Sequence, residues 1–92
     1  MHEFERHLAA AMDTRPAIEQ AKGILVHARA ATPEQAYAEL AFVSQQHNIK
    51  VSLLATALVQ AASGRRVGDP LLRKVLWQEW DDLLPHDDSD VA

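Results

Sequence analysis

Apolar side chains recur at three- and four-residue intervals along five stretches of the chain, and each repeat predicts a helix with one inward stripe. In Arg15 to Leu25 (RPAIEQAKGIL), the stretch on which the others can pack, the stripe is Ile18, Ala21 and Leu25. A second helix is predicted from Pro33 to about His47, burying Ala36, Tyr37, Leu40, Val43 and Ser44. A third runs from Ser52 to about Ser63 on Leu54, Ala55, Leu58 and Ala62. The fourth, Leu71 to Leu84, has a wide apolar face of Leu72, Val75, Leu76, Trp80, Leu83 and Leu84, with Trp77 and Trp80 covering the bundle or a second copy. Ahead of these, residues 1–14 carry a narrow stripe of Phe4, Leu8 and Ala11 or Met12, and predict a helical extension.

Capping residues sharpen these boundaries. Pro16 disfavours a helical conformation at Arg15, which predicts a kink or restart at residues 13–16. Thr32 with Gln35 three residues on is a capping box, and Pro33 takes the favoured first helical position. The connection Ala30–Thr32 is short, so the helices it joins should be antiparallel neighbours. Asn48 suits a left-handed helix end, Ser52 can cap the third helix, Gly64 stops it and Pro85 ends the fourth. The expected organisation is a helical, dimerising segment over 1–14, a three-helix domain over 15–64, and a basic loop, helix and acidic tail over 65–92.

Charge divides the chain along the same lines. The net charge of −4 conceals a middle, residues 15–75, in which eight Lys and Arg face four Asp and Glu, while residues 76–92 carry six acids and no Lys or Arg. Such a centre can attract phosphate, because screening over about 8 Å at physiological salt reduces the weight of distant carboxylates. Ninety-two residues without Cys make one small domain, and a core of that size favours association with a second copy. No apolar run is long enough to cross a membrane and no signal peptide opens the chain, so a cytoplasmic location is expected.

Candidate chemistry is sparse. His2, His7, His27, His47 and His86 have neither metal-ligand spacing nor Cys neighbours, and no nucleophile motif or phosphate-cradling loop is present. No enzyme, cofactor or metal is expected. Gly23 lies inside a helical run, where it costs about 1 kcal/mol relative to Ala, which calls either for a closely packed neighbouring helix or for the close approach of a ligand. The basic candidates for a recognition surface are Lys22, Arg29 and Lys50, with Arg65 and Arg66 as the densest pair.

At Arg15, Ile18, EQAKGIL (19–25), TPEQAY (32–37), Leu40, HNIKVS (47–52) and the Leu54–Val59 run, the sequence resembles the ANTAR domain, over roughly Leu8 to Ser63. The resemblance implies an all-α fold, a three-helix bundle with an N-terminal helical extension, to which this chain adds a C-terminal amphipathic helix. It implies binding of RNA hairpin loops in nascent transcripts by a homodimer, whose paired hairpins exclude a terminator. On that reading Lys22, Arg29, Lys50, Ser52, Arg65 and Arg66 are the expected RNA contacts, with Gly23 at the point of close approach. Val26, Ala41 and Leu53 depart from the family, which usually has Met, a basic residue and an acidic residue at those places. Family members carry a receiver or sensor domain ahead of the helical segment. The chain is therefore expected to be a fragment, or a stand-alone form under a separate sensor or receiver protein.

Two other readings follow from the residues. One is a protein-interaction or dimerisation module without nucleic-acid binding, consistent with the negative total charge. The other is a helix-turn-helix DNA binder with Ser52 to Ala62 as recognition helix, which offers only Thr56, Gln60 and nearby Lys50 for base edges. Outside the resemblance, the fourth helix and acidic tail are expected to shield the basic face or to mediate dimerisation.

Overall fold

The computed structural model describes residues 14–85, which form four α-helices and one 3-10 turn. The helix expected over residues 1–14 falls almost wholly outside the described residues, as does the acidic tail. In chain order the helices are α1 (Thr14–Arg29), α2 (Pro33–His47), α3 (Val51–Ala62) and α4 (Pro70–Trp80), with the 3-10 turn at Asp81–Leu83. Pro16 lies in the first turn of α1, where a missing N–H forfeits no intrahelical bond.

Three of the helices close on a left-handed residue, with one reversed backbone bond after α1 and two after α2 and after α3 that satisfy last-turn carbonyls. After α1 the left-handed residue is Ala30 (φ 53°), and the Ala31 N–H reaches the Val26 carbonyl at 3.2 Å. After α2 it is Asn48 (φ 55°), with Asn48 and Ile49 donating to Gln45 and Ser44 at 3.3 and 2.9 Å. After α3 it is Gly64 (φ 80°), with Gly64 and Arg65 donating to Ala61 and Gln60 at 3.1 and 2.9 Å.

The helix starts are equally specific. Thr32 Oγ1 accepts from the Gln35 N–H at 3.1 Å while Gln35 Oε1 accepts from the Thr32 N–H at 2.9 Å, completing the capping box. Asp69 caps α4, its Oδ1 accepting from the N–H groups of Leu71 and Leu72 at 2.9 and 3.3 Å. Ser52 does not cap α3. Lys50 holds the cap position with no side-chain bond, and Ser52 lies in the first turn. The reversed bonds after Asn48 and a Ser44 hydroxyl donating to the Ile49 carbonyl close the connection quickly, so the chain is already helical at Val51.

A single core cluster runs from Ala21 to Leu84. Leu25, Leu40, Leu54, Leu58, Leu76 and Trp80 are its largest fully buried side chains, and Ala21, Ala36, Ala55, Ala57 and Ala61 between them let the helices approach closely. α3 packs most extensively on α1. Several expected core positions differ, and Ile18, Ala62 and Leu83 are only partly buried against the cluster. Tyr37 is 42% exposed and Ser44 only half-buried, because Ala36, Leu40 and Val43, at i, i+4 and i+7, already complete the inward stripe of α2.

α4 belongs to this core through Trp80, whose ring is fully buried and whose indole N–H donates to Glu39 Oε2 at 2.7 Å. Arg29 at the end of α1 joins the same carboxylate, its Nη2 3.1 Å from Glu39 Oε2, and its Nη1 donates to Asp82 Oδ2 at 2.7 Å. A second tie joins the last turns of α2 and α4, with His47 Nε2 2.8 Å from Glu79 Oε2. Polar side chains thus clip the C-terminal helix to the α1–α2 hairpin over its apolar seat.

Candidate nucleic-acid interface

α1 supplies the centre of the candidate surface. Ala21 and Leu25 fix its inward side, so Gln20, Gly23 and His27 face outward. At 3.6 residues per turn Gly23 stands about 100° round the helix from Lys22. Apart from its chain neighbours and the surrounding backbone of its own helix, no atom of the described residues lies within 4 Å of where a Gly23 Cβ would sit. Close helix packing therefore does not account for this glycine within the described chain, since the buried positions of α1 are Ala21 and Leu25. Gly23 instead lines an open groove of about 680 Å³, together with Gln20, Ile24 and His27 of α1, Val59 and Ser63 of α3, and Leu83.

Arg65 and Arg66 follow Ser63 at the end of this groove, and the Arg65 N–H bond to Gln60 fixes the backbone from which they project. Both are exposed, and neither forms an ion pair with another described residue. On the other flank of α1, Lys22 Nζ lies 3.4 Å from Glu19 Oε2 and 6.0 Å from the centroid of the Tyr37 ring. Lys22 thus adjoins Gly23 on α1, and Arg65 and Arg66 leave from two and three residues beyond the groove-lining Ser63.

Lys50 and Ser52 lie at the other end of α3. Lys50 is exposed at the start of α3, and a twelve-residue helix of about 18 Å separates it from the end that carries Arg65. Ser52 is half-buried, and its carbonyl accepts from the Thr56 hydroxyl at 2.9 Å. Arg29 is engaged within the molecule. Its guanidinium pKa is raised by the hydrogen bonds to Glu39 and then to Asp82, and the Asp82 carboxyl is held below its ordinary value chiefly by the Arg29 bond.

Gln20, His27 and Ser63 are surface side chains that sequence periodicity did not single out, and Tyr37 is one that it assigned to the core. For Tyr37 a signal existed: it stands one position off the Ala36, Leu40, Val43 repeat. The groove residues come from three elements and share no local pattern. Among the described residues no group of three His, Asp or Glu side chains could hold a metal ion, and no helix is long and apolar enough to cross a membrane. What the surface offers is cationic donors, hydroxyl and amide groups, an exposed aromatic ring and a groove without a side chain at its centre, the means by which proteins hold unpaired bases and phosphates.

Fold and surface together define a small all-helical recognition module. A family model for the ANTAR domain matches residues 6–59, and the chain belongs to the ANTAR domain family, a family of RNA-binding regulatory domains. The solved structure of an RNA-binding light-oxygen-voltage receptor is similar over 91% of this chain at 33% sequence identity, with a TM-score of 0.64. This chain spans 23% of the length of that one. No curated protein matches it.

Proposed function

We propose that this chain binds RNA hairpin loops in nascent transcripts and, as a homodimer holding two hairpins, prevents the competing terminator from forming. The observation that carries the reading is Gly23: a glycine in the middle of α1, costly to the helix and needed by no contact of the described fold, lining an open groove with Lys22 next to it in sequence and Arg65 and Arg66 just beyond the groove's Ser63. Unpaired loop bases enter the groove while the cations hold their phosphates. Lys50 and Ser52, one helix length away, reach a more distant phosphate of the same RNA. Arg29 acts as a tie within the fold rather than as a contact. Control comes from a sensor or receiver protein acting on the dimer.

The helix-turn-helix alternative is disfavoured by α3 itself. That helix is buried or half-buried along most of its length and fully exposes only Leu53 and Thr56, too little to read a major groove. The test is binding of the purified chain to a pool of tandem-hairpin RNAs against duplex DNA of equal length, across a salt series, with Lys22→Ala as control. Loop-dependent RNA binding that falls with salt and weakens in the variant supports the reading. Equal binding to DNA, or none to either, overturns it.

A further inference from the structure

Tyr37 is 42% exposed, although Ala36 beside it on α2 is 1% exposed. The inward stripe of α2 is complete without its ring, and its hydroxyl has no hydrogen-bond partner among the described residues. Across from it, Lys22 Nζ of α1 lies 6.0 Å from the ring centroid, and Glu19 Oε2 holds the same ammonium at 3.4 Å. An ammonium of α1 is thereby set over an exposed ring of α2, on the flank of α1 next to Gly23.

We infer that Tyr37 and Lys22 form a stacking site for one unpaired base of the RNA loop, the ring taking the base and the ammonium its phosphate. This rests on the RNA-binding reading above and adds to it a contact residue of a different kind. Every base has a π face, so an open ring of this sort binds an unpaired nucleotide whatever its identity, and two side-chain torsions make it inexpensive to order. Gly23 completes the arrangement, because the strand leaving the Tyr37 site crosses α1 towards the groove where no side chain obstructs it. The ion pair with Glu19 is exposed and weak, and a phosphate can take its place at the ammonium.

The experiment uses one tandem-hairpin RNA selected on the wild-type chain from a pool with randomised loops, then resynthesised with 2-aminopurine at successive loop positions. Wild type and Tyr37→Phe are expected to quench the probe at one position and to bind within about two-fold of each other. Tyr37→Leu, which keeps an apolar side chain at an exposed place, is expected to lose that quenching and to bind about ten-fold more weakly, with an unchanged thermal melt. An abasic site at the quenched position should weaken the wild type equally and leave Tyr37→Leu no weaker than before. If Tyr37→Leu binds and quenches as wild type does, the stacking site is overturned while RNA binding stands. If no RNA is selected by the wild type, the RNA-binding reading fails and the stacking site fails with it.

Discussion

Two residues, Ala30 and Gly23, have side chains other than those their backbone positions favour, and each makes a stability prediction of known sign. Ala30 adopts a left-handed conformation (φ 53°) to close α1, a conformation in which a Cβ costs about 1–2 kcal/mol. Ala30→Gly removes that cost against a smaller entropic loss from the unfolded chain, so it should stabilise by about 0.5–1 kcal/mol, measured as a higher urea midpoint. Gly23→Ala adds a methyl group where nothing of the described chain stands within 4 Å. It should stabilise the helix by about 1 kcal/mol in the same assay. RNA binding should move the other way: if Gly23→Ala gains stability and binds RNA as tightly as before, the groove over Gly23 is not the point of close approach.

At the scale of elements, the C-terminal helix is held by one carboxylate serving two donors. Glu39 accepts from the buried Trp80 indole and pairs with Arg29, so its truncation leaves a buried N–H without a partner. Glu39→Ala is expected to cost about 2 kcal/mol. Glu39→Gln keeps an acceptor in place and loses only a part-exposed charge pair, and should cost less than about 1 kcal/mol. Denaturant unfolding of the two variants side by side measures the difference; equal losses would mean that the charge, rather than the hydrogen bond to Trp80, holds α4.

For the whole molecule, the Arg29–Asp82 bond couples stability to pH. Arg29 closes α1 and Asp82 lies beyond α4, so the bond ties the end of the first helix to the segment after the last. The Asp82 carboxyl is depressed in the folded state, which means its contribution is present above its unfolded pKa and lost as pH falls through the folded one. Arg29 is raised further above its ordinary value, so its protonation adds no dependence near neutral pH. Unfolding midpoints of wild type should therefore fall between about pH 5 and pH 2, and Asp82→Asn should flatten part of that fall by lying below wild type at pH 7 and converging with it in acid. Added salt should shrink the difference, since the pair is solvent-facing. Identical acid limbs for the two proteins would show that the Arg29 bond does not couple folding to this proton.

The residues of the chain by themselves determined the helices and most of their ends, although α4 gives way to a 3-10 turn after Trp80 instead of running to Leu84 before Pro85. Thr32 with Gln35, Asn48 and Gly64 act through bonds to residues within five positions, so their effect is local and legible without a fold. The inward stripes of Ala21 and Leu25, of Ala36, Leu40 and Val43, and of Leu54, Ala55 and Leu58 followed from the period of the helix, and the ANTAR resemblance from their spacing. Tertiary structure decided the rest. Whether Tyr37 is core or surface depends on how much of the α2 face its neighbours cover, a matter of packing that a half-turn ambiguity in the pattern leaves open. Arg29 reads as a free cation until Glu39 and Asp82, ten and fifty-three residues away, are brought to it. The groove over Gly23 exists only because α1, the end of α3 and Leu83 meet there, and no run of residues along the chain carries the imprint of surfaces that converge from three separate elements.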